Sequence, residues 1–161
     1  AGELALGLVP PEKLGGHIRQ AIEVGGARRI GHGTDLMNDP DSSGLLAIMA
    51  RRRIAVEISL SSSDVILGVR GERHPLRQYL RAGVPVVIAT DDEGVARSDL
   101  TNEYQRAVEE QGLSYSELKE VSRNSTEYSF LAVEEKARVR RELEAAFERF
   151  ESEFLQTRRQ N

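Results

Sequence analysis

The sequence contains no cysteine. That excludes disulfides, thiol nucleophiles and thiolate-ligated zinc, and it fits a reducing cytoplasm. No apolar run approaches the roughly 20 residues of a membrane-spanning helix. There is no basic stripe: 26 acids are mixed with 22 bases, for a net charge of −4, which excludes the electrostatic footprint of a nucleic-acid binder. The opening residues, AGELALG, carry no signal-peptide pattern. Linkers, low-complexity segments and internal repeats are absent as well. What remains is 161 residues, 39% apolar and 30% charged, enough for one ordinary globular domain with a real core.

Short apolar runs alternate with helical patterns. Residues 27–33 (ARRIGHG) read as a strand entering a loop. Residues 42–53 read as a helix capped by Ser42 or Ser43, with a basic last turn that suits the helix dipole. IAVEISLSSS (54–63) reads as a second strand ending in a serine cluster, and VPVVIATDD (84–92) as a third. Between them, 74–83 predicts a helix with Pro75 in its first turn and Gly83 at its stop. Helices follow over 98–112 and 114–131, the latter with Ser114 and Glu117 at capping-box spacing. A charged helix over about 133–156, with Val139, Leu143, Phe147, Phe150 and Phe154 at helical spacing, closes the chain. Residues 10–26 read as the helix of one earlier unit whose strand lies at or before residue 1.

Strand and helix alternate three times, which predicts an α/β fold with a parallel sheet. The strands' near-continuous apolar cores predict burial on both faces. In such folds reactive groups gather beyond the carboxyl ends of the strands. Here those ends carry Glu3, then Gly31, His32 and Gly33, then Ser59 and Ser61 to Ser63, then Thr90, Asp91 and Asp92. Two adjacent carboxylates at a buried strand end repel each other unless a cation or a hydrogen-bonded ligand offsets the cost; they serve equally to cap a turn. The glycines around His32 admit close approach of a ligand or simply a tight turn. His17 and His74 read as helix-surface and helix-start residues.

Taken together, AGE (1–3), RIGHG (29–33), VEISLSSS (56–63), TDDEGV (90–95), LTNEY (100–104) and NSTEYSFL (124–131) resemble, in order, the motifs of the C-terminal half of the adenosine deaminase family. The resemblance implies a zinc hydrolase on a (β/α)8 barrel, with residues 1–161 forming about strands five to eight of a single barrel domain plus C-terminal helices. It implies Asp91 as a zinc (Zn2+) ligand, Glu3 and His32 as catalytic residues, and Asp92 and Gly2 as contacts to a purine nucleoside. In that scheme His32 orients the attacking water, Glu3 donates to the purine N1 and Asp92 bonds N7. The family's other zinc ligands, a His-x-His pair and the histidine of His-Ala-Gly-Glu, have no counterpart in this chain, so the N-terminal half of the barrel is an implied partner. Leu60, Ser63 and Glu93 depart from the family pattern beside the pocket and leave the aminopurine open. The stretch 122–131 leans toward adenosine-type members, some of them secreted. Two alternatives stand beside this one: a non-catalytic half-barrel that self-associates through its exposed edges and apolar face, and an unrelated α/β metal hydrolase.

Overall fold

Three parallel strands form the centre of the computed structural model, which describes residues 1–5 and 7–160. β1 (Arg29–Gly31), β2 (Ala55–Ile58) and β3 (Val86–Ile88) lie side by side in chain order. Ile30 pairs with Val56, Val56 with Val86 and Ile58 with Ile88. Parallel neighbours need crossovers. These are supplied by α2 (Ser42–Arg52) between β1 and β2, and by α3 (Leu60–Leu67) with α4 (Leu76–Arg81) between β2 and β3. α1 (His17–Glu23) precedes the sheet, and α5 (Glu93–Ala96), α6 (Leu100–Glu109), α7 (Tyr115–Glu127) and α8 (Val133–Gln160) follow it.

Side chains alternate across a strand, so the register assigns two faces. Ile30, Val56, Val86, Ile58 and Ile88 share one face and join Ile18, Ile22, Leu45, Met49, Leu76, Tyr79 and Val121 in the core. The other face carries Arg29, Gly31, Ala55, Glu57 and Val87, with Arg29 ion-paired to Glu57. The expectation of apolar burial on both faces therefore holds for one face only. Val87 and Ala55 are buried, but the ion pair interrupts the second face and stays partly exposed. At the β3 edge, Asn124 on α7 donates to the Val86 carbonyl at 3.0 Å, satisfying an edge acceptor from the side.

Several boundaries differ from the sequence reading. The strand predicted over 54–63 stops at Ile58, and Leu60, Ser61, Ser62 and Ser63 form the buried first turn of α3. Asp41, not Ser42 or Ser43, caps α2 through Gly44 N, and Pro75 stands at the cap position of α4. The helix read over 10–26 is confined to 17–23, after a short 3-10 turn at Pro11–Lys13. Residues 1–5 form no strand; they lie along the end of β1. The capping box of α7 forms as expected. α8 runs past the expected 156 to Gln160 and packs on α7, through Arg123–Glu144 at 2.6 Å and Lys119–Glu151 at 2.5 Å.

Candidate functional site

Beyond the carboxyl end of β1, His32 N donates to Glu57 O at 2.7 Å, continuing the ladder by one residue. The chain then turns sharply: His32 has φ 63° and Gly33 φ 63°. The left-handed conformation costs a non-glycine residue about 1 kcal/mol or more. At the end of β3, Ala89 N still bonds Ile58 O at 2.9 Å, and Asp91 then takes φ 55°. Of the four side chains singled out for the site, His32 and Asp91 thus sit in conformations that side chains avoid. Their neighbours hold them there.

Those neighbours can be named. The Tyr79 hydroxyl, fully buried under the sheet, donates to Gly33 O at 2.7 Å. Burial raises the Tyr79 pKa, and Asp35 adds to the rise, so the phenol remains a donor. Gly2 packs so closely that a Cβ there would lie 2.5 Å from Gly33 Cα. Asp35 N bonds Gly2 O at 3.1 Å, and the Asp35 carboxylate takes Leu4 N at 2.6 Å. His17 Nε2 approaches the same carboxylate at 3.4 Å. These contacts fasten residues 2–4 to the turn after β1 and present Glu3 to His32.

The result is a cluster from three chain segments. Glu3, His32 and Asp91 each offer a donor atom, and all three atoms lie within 4.8 Å of one another. His32 Nδ1 is 3.3 Å from Glu3 Oε1. Ser62, from the first turn of α3, stands between the acids: its Oγ is 2.7 Å from Asp91 Oδ2 and 3.3 Å from Glu3 Oε1. Asp92 is exposed and heads α5 without a side-chain capping bond. With Ser62 and Asp91 it lines a small hollow of about 20 Å3. Capping is therefore not what these two aspartates do here. Gly2 is buried against Gly33, so its freedom serves backbone-to-backbone approach.

Behind the cluster, Glu103 is completely buried. Its carboxylate accepts from Leu60 N at 2.6 Å, Ser61 N at 3.2 Å and Ser98 Oγ at 2.6 Å. An acid on α6 thus caps the N-terminus of α3, where donors and the positive dipole end both favour it. His74, read as a helix-start residue, is 2% exposed, and its Nδ1 accepts from Leu76 N at 3.2 Å. Burial, helped by nearby Arg106, lowers its pKa to about 4.

The chain matches the family described as adenosine deaminase over residues 12–146. It belongs to the adenosine deaminase family. Among curated relatives, the aminodeoxyfutalosine deaminase of Streptomyces coelicolor is 41% identical over 119 residues, 73% of this chain and 30% of the relative. The adenosine deaminase of Shewanella loihica is 37% identical over 118 residues, 73% of this chain and 35% of the relative. Among solved structures, an amidohydrolase from Burkholderia ambifaria with bound zinc covers 90% of this chain and 39% of its own, with TM-score 0.75 and 19% identity. The N6-methyl-AMP deaminase of Arabidopsis thaliana covers 89% and 40%, with TM-score 0.63 and 29% identity. The chain thus spans well under half the length of the family members it matches.

The structure brings Glu3, His32 and Asp91 together, with Asp92 beside them at the rim. Ser62 is named in the sequence only as one of the serines at a strand end, with no role of its own, and Glu103 and Tyr79 carry no sequence signal.

Proposed function

We propose that this chain supplies strands six to eight of a (β/α)8-barrel deaminase, with residues 1–5 following the tip of strand five, and that the barrel uses zinc to hydrolyse the 6-amino group of adenosine or a related aminopurine, releasing ammonia. The observation that carries the reading is the convergence of Glu3, His32 and Asp91 within 4.8 Å, from segments up to 88 positions apart. Relatives that deaminate adenosine, aminodeoxyfutalosine and N6-methyl-AMP support it. The donor set is one imidazole nitrogen and two carboxylates, which zinc accepts. Asp91 is the residue of this chain that would hold the ion. When bound, zinc makes water available as a nucleophile near neutral pH.

The chain's own residues do the rest. Ser62 fixes the Asp91 carboxylate through the 2.7 Å hydrogen bond. His32, held beside Glu3, orients the attacking water and takes up its proton. Glu3 donates to the purine N1, which draws electrons from C6. Water oxygen adds at C6; the proton taken by His32 passes to the amino nitrogen, which leaves as ammonia, while the C6 hydroxyl gives up its remaining proton to become the carbonyl, and that proton restores Glu3. Asp92 at the rim donates a carboxyl hydrogen bond to N7, which can only accept, and the Gly2 backbone lies against the base. The remaining zinc ligands, and the partner surface for the second sheet face, come from the N-terminal half of the barrel. Among the described residues no helix is long and apolar enough to cross a membrane.

The test is Asp91→Ala in the complete enzyme. Zinc content by elemental analysis and ammonia release from adenosine should both be lost. Normal turnover in that variant would overturn the metal assignment.

A further inference from the structure

At the opposite end of the sheet, where β1 and β2 begin and α2 and α7 end, the fold builds a second concavity. Its volume is about 530 Å3, within the range of small-molecule sites. Arg28, Arg29, Arg52, Arg53 and Lys136 line it, with Glu127 as the one carboxylate. An adjoining hollow shares Arg53, Glu127 and Lys136 and adds Arg123, Arg140 and Arg141 against Glu120. A chain of net charge −4 thus carries a strongly positive pocket that appears only when residues 28–29, 52–53 and 136 are folded together.

Part of this charge has a structural use. Arg29 pairs with Glu57, Arg123 with Glu144, and Arg140 reaches Glu127 at 3.8 Å. Lys136 Nζ donates to Glu127 O at 2.7 Å and so takes the end of α7. The C-terminal dipoles of α2 and α7 together amount to about one negative charge. That leaves Arg28, Arg52 and Arg53 with no carboxylate partner among the described residues. Aromatic rings position two of these three. The Arg28 guanidinium lies 5.2 Å from the centre of Phe130, and that of Arg53 lies 5.5 Å from the centre of Tyr128. A ring-stacked guanidinium keeps its N–H edge free for an anion. The Tyr128 hydroxyl, also in the lining, is screened from solvent and lies beside the Arg53 guanidinium.

We propose that this concavity binds a small anion carrying two or more linked phosphates. Guanidiniums recognise phosphate oxygens in bidentate fashion, and a single phosphate, with a charge of roughly −2, does not balance the three unpaired arginines. The site stands apart from the deaminase reading, at the other end of the strands, and does not depend on it.

The test is calorimetric titration of the full chain with inorganic triphosphate and, separately, with a nucleoside triphosphate. Each is run at low and at high salt. Saturable binding of one ligand per chain is expected, weakened by salt. The double variant R28E/R52E should bind at least about tenfold more weakly. Both side chains are exposed, and an unchanged melting temperature will establish that the variant is folded. The control pair K13E/R149E alters net charge equally, far from the pocket in sequence and outside its lining, and should change affinity less than about twofold. Tighter binding of the nucleoside triphosphate would mean that the ring-lined wall reads the base; equal affinities would assign recognition to the phosphates alone. Both support the site. No saturation below millimolar ligand, or equal weakening by the two pairs, overturns it.

Discussion

Ser62 has one hydroxyl proton and two carboxylate neighbours, and the 2.7 Å contact to Asp91 takes it. Its removal leaves the carboxylate without an orienting donor while changing little volume. Ser62→Ala in the complete enzyme should therefore weaken zinc affinity by about 10- to 100-fold, the usual effect of deleting a ligand's hydrogen-bonding partner. Competition against a chelator measures this; unchanged affinity would remove Ser62 from the account. Glu3, His32 and Asp91 are legible through the ordered set of family motifs; the local pattern alone leaves His32 and Asp91 open to turn and cap roles, and Glu3 follows no strand of this chain. Ser62 was hidden in a run of serines, which has no period. Tyr79 and Glu103 were hidden for the opposite reason. An aromatic in one helix and an acid in another are ordinary, and only the tertiary fold reveals that the first holds Gly33 O and the second holds Leu60 N.

Helix α3 was the element most poorly read, and its cap explains why. Local capping leaves a mark within four residues, but here the acceptor is Glu103, 42 and 43 positions from the amides it takes. Glu103→Ala should strip three donors of their acceptor in a dry interior and destabilise the domain by ~3 kcal/mol, measured by urea unfolding. Amide exchange at residues 60–62 should accelerate beyond what global unfolding explains. The strands and the later helices were legible because hydrophobic period, glycine stops and the Ser114–Glu117 pair are local signals. His74 belongs to the same scale, since it holds the entry to α4 through Leu76 N. Its folded pKa of about 4 lies below the unfolded value of about 6.5. Between those values the unfolded chain binds the extra proton. The stability is fully present above about pH 6.5 and is lost as pH falls toward 4, by up to ~3 kcal/mol. His74→Asn, which keeps an acceptor near Leu76 N, should flatten that part of the stability–pH curve.

For the molecule as a whole, the second sheet face bears on the readings raised by the sequence. A self-associating half-barrel was expected to expose a broad apolar surface. The face instead presents Gly31 and the Arg29–Glu57 pair beside Val87 and Ala55, a mixture poorly suited to burying a second copy of itself. The proposed complement is the N-terminal half. Mixing this chain with that half should bring bound zinc to about one ion per pair and start adenosine turnover, while the chain alone binds zinc weakly. Tight zinc binding by the chain alone would require a different ligand set. The order of the family motifs was legible along the sequence. The basic concavity was not, because its arginines are diluted among acids until folding collects them.

His32 and Asp91 both hold left-handed backbone conformations. Glycine would relieve roughly 1 kcal/mol of strain at either position, against a cost of about 0.5–1 kcal/mol through the more flexible unfolded chain, so replacing either residue by glycine leaves stability nearly unchanged. A breeding programme that ranks variants only by melting temperature would therefore let changes at these two positions pass. On the proposed mechanism it would admit a chemically silent protein, and a screen for activity must be run alongside it.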